Sequence, residues 1–182
     1  MTNEVIKYRS KLKTNFKFTM PRKTLNYNET LWLSSFGDNC IFLLNPNTEM
    51  IKSIVSFPRL KNPRGIFALD KYIYVACYGD PIGKIICFDI ETLKEIMYFE
   101  VPRPRGLVIL NDEIFITEVM ENRISVFDLR GNFKRYIGVN ILKYPRGITI
   151  DNENLIIADS GNNRIVCLNK KGDFIKSVDE LN

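Results

Sequence analysis

Pro63-Arg64-Gly65, Pro104-Arg105-Gly106 and Pro145-Arg146-Gly147 recur at spacings of 41 and 41 residues, and Pro21-Arg22-Lys23 stands 42 residues earlier as a degenerate first copy. The text after each tripeptide repeats too. Ile66-Phe67-Ala68-Leu69, Leu107-Val108-Ile109-Leu110 and Ile148-Thr149-Ile150 are short apolar runs that end in polar turns at Asp70-Lys71, Asn111-Asp112-Glu113 and Asp151-Asn152-Glu153-Asn154. Three further runs follow each turn. In the last unit they are Leu155-Ile156-Ile157-Ala158, Ile165-Val166-Cys167-Leu168-Asn169 and Phe174-Ile175-Lys176-Ser177-Val178. Short runs rich in β-branched and aromatic residues, separated by turn residues, read as the strands of an antiparallel meander. No window supplies the ten or more residues at a 3.6 period that a helix needs.

Four strands per unit of this length is the blade of a β-propeller. One blade cannot bury both its faces alone, so blades must stack side by side around an axis. The predicted fold is all-β, a propeller of four four-stranded blades at about 20–61, 62–102, 103–143 and 144–182, preceded by a basic arm at 1–19. The last blade already owns an outer strand, Phe174 to Val178, so the arm is not needed to complete it. It is read as an extra edge strand near the ring closure or a partner contact. A closed four-bladed ring is the favoured arrangement, at about the smallest blade number of the architecture. The alternatives are an open arc completed by oligomerisation through its edges and a fragment of something longer.

At these residues the sequence resembles the NHL-repeat family of β-propellers. Its best copy runs from Pro145-Arg146-Gly147-Ile148 through Ala158-Asp159-Ser160-Gly161-Asn162-Asn163-Arg164-Ile165. The third unit keeps Glu118, Asn122, Arg123 and Ile124; the second departs with Cys77 and Lys84, the first with Ser35 and Cys40. The resemblance covers about residues 20–182. It implies six blades as the usual closure, faces that commonly bind partners, and RNA binding in some members. Enzymes that resemble this fold depend on axial metal sites of His, or of Asp, Glu and Asn.

The 182-residue chain contains no His and four Cys, Cys40, Cys77, Cys87 and Cys167, with no Cys-x-x-Cys pair. The missing His removes Ser-His-Asp and Cys-His catalytic machinery and His-based zinc sites. The start, Met1 to Lys7, has no apolar region of signal-peptide length, and no run approaches the ~20 residues of a membrane span. A cytoplasmic protein with reduced thiols is expected. Richness in Ile, Asn and Lys with little Ala suggests an AT-rich genome, such as that of a protist or large virus.

The chain carries 26 Lys and Arg against 21 Asp and Glu, a formal charge of +5. The arm holds Lys7, Arg9, Lys11, Lys13 and Lys17 against Glu4, so most of the excess lies there. In a meander blade the connections alternate between two rims. One rim gathers Arg22, Lys23, Arg59, Lys61, Arg64, Arg103, Arg105, Lys143 and Arg146, with Phe57, Tyr78 and Tyr144 as aromatics able to stack on bases. The other gathers Asp70, Glu91, Asp112, Glu113, Asp151, Glu153 and Asp173, offset in part by Lys71, Arg130, Lys170 and Lys171. Arg64, Arg105 and Arg146 also read as inward props for carbonyls or acids near the axis. Asp159–Arg164 and Glu118–Arg123 are expected to form structural ion pairs between the second and third strands of their blades. The reading is a non-catalytic scaffold for protein partners, with RNA or single-stranded nucleic acid on the basic rim and arm as the alternative. It is read as not an enzyme, with no catalytic residues, metal or cofactor; a metal-dependent lactonase- or esterase-like activity is the residual alternative.

Overall fold

The structure, a computed structural model, describes residues 17–48 and 50–179. Every strand lies in one of four four-stranded antiparallel sheets. The first blade is β1 (Pro21–Tyr27), β2 (Thr30–Ser35), β3 (Cys40–Leu44) and β4 (Ile51–Val55). The second is β5 (Pro63–Leu69), β6 (Tyr72–Cys77), β7 (Ile82–Asp89) and β8 (Glu95–Pro102). The third is β9 (Pro104–Leu110), β10 (Glu113–Glu118), β11 (Arg123–Asp128) and β12 (Phe133–Ile137). The fourth is β13 (Pro145–Asp151), β14 (Asn154–Asp159), β15 (Arg164–Asn169) and β16 (Phe174–Asp179). The strand runs read from the repeats are therefore blades, each pairing its strands in chain order.

The turns explain the regularity. Asn28-Glu29, Asn111-Asp112 and Asn152-Glu153 each place both residues at positive φ, the geometry of the tight hairpin turn that suits the twist of antiparallel strands and favours Asn. At the end of the third strand a side chain caps the next turn in every blade. Asn45, Asp89, Asp128 and Asn169 each accept two backbone amides through Oδ1, the Asx arrangement that lets a short side chain stand in for backbone.

The strand period of two then divides each blade between its neighbours. Ile73 and Val75 of β6 join a cluster with Trp32, Ile41 and Leu43 of the first blade. Tyr74 and Ala76, which alternate with them, join Leu107, Ile114 and Ile116 of the third. Phe115 of β10 turns the other way, toward Leu155 and Ile157 of the fourth. The middle strands of the first three blades are buried on both faces over most of their length, whereas β14 of the fourth alternates.

Three clusters thus join the first blade to the second, the second to the third and the third to the fourth. Among the described residues no buried cluster combines the fourth blade with the first. The outer face of the first blade carries its own cluster, Leu33, Cys40, Phe42, Leu44 and Ile51, with Phe18 packed against it. On the fourth blade, Ile165 and Val178 pair across β15 and β16 and are 43% and 63% exposed. Their counterparts in the third blade, Ile124 and Ile137, are buried under the fourth. A core between the fourth blade and the first, which the favoured closed ring would have, is not seen among the described residues.

The glycines report the same arrangement. A Cβ on Gly65 would meet the Arg105 carbonyl oxygen at 2.8 Å, and one on Gly106 would meet the Arg146 carbonyl oxygen at 2.7 Å. A Cβ on Gly147 would meet only Ala158, at 3.8 Å. Overpacking against backbone costs about 1–3 kcal/mol. In urea unfolding, Gly65→Ala and Gly106→Ala should therefore each lose about that much, while Gly147→Ala should stay within about 0.5 kcal/mol of the parent. An equal loss at Gly147 would mean that a further blade packs there.

Candidate functional site

Each inner strand opens with a β-bulge. Pro63 pairs with Cys77 and Ile66 with Val75, so Arg64 and Gly65 oppose Ala76 alone. Arg105 and Gly106 oppose Thr117, Arg146 and Gly147 oppose Ala158, and Arg22 is the extra residue between Pro21 and Lys23. A bulge bends the strand and re-aims the side chain it carries. Here it does so four times, once per blade, around one axis.

The bulges are pinned between blades. The Ser34 hydroxyl donates to the Arg64 carbonyl at 2.7 Å, and the Thr117 hydroxyl donates to the Arg146 carbonyl at 2.8 Å. Thr117 also accepts the Gly106 amide at 2.8 Å. The carbonyl beside each of these arginines is thereby held by the preceding blade.

The inner-strand starts of all four blades line one open cavity of about 240 Å³. Among the described residues its charged lining is Arg22, Lys23, Arg64, Arg105 and Arg146, with no carboxylate; Gly65, Ile66, Gly106, Leu107 and Ile148 form the apolar wall. The Arg64 guanidinium lies over the rings of Tyr78 at 4.5 Å and Phe36 at 4.6 Å, and Arg22 lies over Phe36 at 5.1 Å. Arg64 Nε is buried with no hydrogen-bond partner among the described residues. Burial pushes Arg64 down to about 10, and the charges of Arg105, Arg22 and Arg146 push the same way. Arg105 is lowered by burial and then by Arg146 and Arg22. Among the described residues no carboxylate lines the cavity, and the charges acting on Arg64 and Arg105 are chiefly those of the other inner arginines.

The rest of the basic rim is arranged differently. Arg103 bonds Asp80 at 2.7 Å and Glu121 at 2.8 Å, and Arg59 bonds Glu95 at 3.0 Å while stacking on Tyr98. Asp38, Asp80 and Glu121 also stand on the loops of this rim and make it less basic than the sequence expectation. Phe57 is buried between the first two blades and offers no platform. Lys61 and Lys143 are exposed, and Tyr144 is 41% exposed. Lys7, Arg9, Lys11 and Lys13 lie outside the described residues.

Glu118 meets Arg123 at 2.7 Å and Asp159 meets Arg164 at 2.8 Å, each carboxylate almost fully buried. Burial raises the Glu118 carboxyl while Arg123 works against it. On the opposite rim Glu113 is bidentate to Arg135 at 2.7 and 2.8 Å and also pairs with Lys134. Arg135 reaches on to the Lys170 carbonyl, tying the third blade to the fourth. Among the described residues no three His, Cys, Asp or Glu side chains gather to hold a metal, and no helix is long and apolar enough to cross a membrane.

Residues 142–174 match the model of the NHL repeat. Among solved structures, the chain is similar to streptogramin B lyase, at 16% identity and a TM-score of 0.71, with 93% of this chain and 58% of that one covered. It is similar to a chain of a nidogen/laminin complex, at 15% identity and a TM-score of 0.75, with 87% and 63% covered. Virginiamycin B lyase from Staphylococcus aureus gives 18% identity and 0.70, with 93% and 59% covered. The chain thus spans about three fifths of the length of these structures. No curated protein matches it. These likenesses correct one expectation. The exclusion of enzymes does not stand, because the same fold in the lyases carries catalysis.

Two measurements follow from the site. Arg105→Met keeps the aliphatic stem and removes one of the crowded charges. It should raise stability at low salt by about 0.5–2 kcal/mol, as relief of surface charge commonly does, and the gain should shrink as salt screens the ring. Hydrogen bonds from Arg135 hold the Glu113 carboxyl down at about 2, against its ordinary 4.5. That depressed value stabilises the fold above pH 4.5 and the benefit is lost as pH falls toward about 2. Acid titration of Glu113→Gln should lack this part of the decline, and at neutral pH the variant should be about 1–3 kcal/mol less stable.

Proposed function

We propose that this NHL-type propeller is a docking platform whose protein partner seats an acidic segment on the arginine-lined mouth. The carrying observation is the lining itself: among the described residues, five cationic side chains and no carboxylate surround one cavity. Interface arginines favour bidentate pairing with carboxylates, and a cleft lined by one sign of charge focuses its field on an incoming partner. Elsewhere on this rim Arg59 and Arg103 are already neutralised, so the axial mouth is where an anionic partner gains most. The likeness to a chain of a nidogen/laminin complex supports a fold suited to protein association.

Single-stranded nucleic acid is the second reading, and the aromatics favour it less. Base stacking needs free ring faces. Phe36 and Tyr78 are occupied by Arg22 and Arg64, Phe57 is buried, and Tyr144 alone of the three aromatics named on this rim is more than a third exposed.

Fluorescence anisotropy with a labelled glutamate-rich peptide and a short single-stranded RNA, on the full chain at two salt concentrations, tests the choice. The peptide should bind, and the double variant Arg105→Glu/Arg146→Glu should abolish that binding. RNA binding tighter than the peptide, with a log–log salt slope of ~0.7 per neutralised phosphate, would replace the protein reading with the nucleic-acid one.

A further inference from the structure

We infer that the ring formed by Arg22, Arg64, Arg105 and Arg146 is a discrete site for a tetrahedral phosphate-type oxyanion, free or carried as a phosphate monoester. The inference deepens the docking face proposed above, since it names the group that the mouth would hold, but it concerns a small anion and is measured without any partner.

Geometry carries it. The four arginines come from the same bulge position in four successive blades, so they approach the axis from several directions. A carboxylate offers two coplanar oxygens and satisfies one or two guanidinium forks. A phosphate group offers oxygens in several directions and a charge approaching −2. Converging forks from around an axis match the second pattern. The cavity, about 240 Å³, lies just under the roughly 300–1,000 Å³ of sites that enclose drug-sized ligands. It suits a head group and its water.

Preorganisation supports the same ligand. Stacking on Phe36 and Tyr78 covers the faces of the Arg64 guanidinium and leaves its edge, where the N–H donors lie, for hydrogen bonding. One of those donors, Nε, is buried and unpartnered among the described residues. The Arg64 and Arg146 carbonyls are pinned by Ser34 and Thr117, so the backbone beneath two of the four forks is fixed before any ligand arrives. Arg22 and Arg64 share Phe36, which fixes one pair relative to each other. Burial first, and then the charges of the other inner arginines, lower Arg64 and Arg105, and a bound anion would offset both.

The test uses the full chain and three probes: inorganic phosphate, a short phosphoserine peptide and acetate, each against sodium chloride at matched ionic strength. Calorimetric titration and thermal melting are both read. Phosphate should bind saturably with a stoichiometry near one site and raise the melting temperature in a dose-dependent way, while acetate should match chloride. Arg105→Met and the exposed Arg146→Met should each weaken phosphate binding at least tenfold, whereas Arg59→Gln, which alters only the outer contacts with Glu95 and Tyr98, should leave it unchanged. Tighter binding of the phosphopeptide would assign the site to a covalently carried phosphate; equal or weaker binding would assign it to the free anion. Identical melting in phosphate and chloride, or phosphate binding that survives both Met variants, would overturn the inference. In that event a glutamate-rich peptide that still binds through Arg105 and Arg146 would leave the docking reading intact.

Discussion

The two-for-one bulge at each Arg-Gly couples everything else in the molecule. A bare Cα at Gly65 and Gly106 lets the next blade's backbone come within contact of the inner strand. The same bulge turns the preceding arginine toward the axis. Blade packing and charge convergence are therefore one local feature seen from two sides. A side chain at the glycine would push the blades apart and also disperse the guanidiniums. The hydroxyls of Ser34 and Thr117 complete the device by tying a carbonyl of the bulge to the preceding blade. In the second blade the equivalent position is Ala76, which opposes its bulge alone and joins the core shared with the third blade, so that junction relies on apolar packing.

The remaining charges make the axial ring conspicuous by contrast. Arg103, Arg123, Arg135 and Arg164 each hold a carboxylate at 2.7–2.8 Å, and Arg59 holds one at 3.0 Å. This is how a surface usually disposes of its cations. Among the described residues no carboxylate pairs with the four guanidiniums at the mouth, and their crowding costs folding stability. The fold itself does not choose the ligand. The similar structures include a lyase and a member of a protein complex, so the blades alone do not decide role.

Much of the fold was legible because each blade repeats its local instructions. Asn at the first hairpin turn of three blades, Asp or Asn at the end of the third strand, and Pro-Arg-Gly at three of the inner strands all act within a few residues of themselves. Buried acids at Glu118 and Asp159 were legible for the same reason, since their arginines sit five residues on. What went unread lay across greater sequence distance. Arg103 finds Asp80 23 residues back, and Arg59 finds Glu95 36 residues on. Phe57 looked like a rim aromatic because its loop was visible and its burial between two blades was not. Tyr78 looked like a platform for a base, and Arg64 has taken its face.

By itself the sequence determined the strands, their number per blade and the position of an arginine at every inner-strand start, because periodicity, turn chemistry and glycine placement are local properties of a chain. Only the tertiary structure decided which of those arginines remain uncompensated, because that depends on what neighbouring blades bring alongside. It also decided which blade faces are covered. Whether a fourth interblade core forms is a question about the mutual angle of blades distant in sequence. Ile165, Val178 and Gly147 answer it by their exposure and open space, where Ile124, Ile137 and Gly106 are covered.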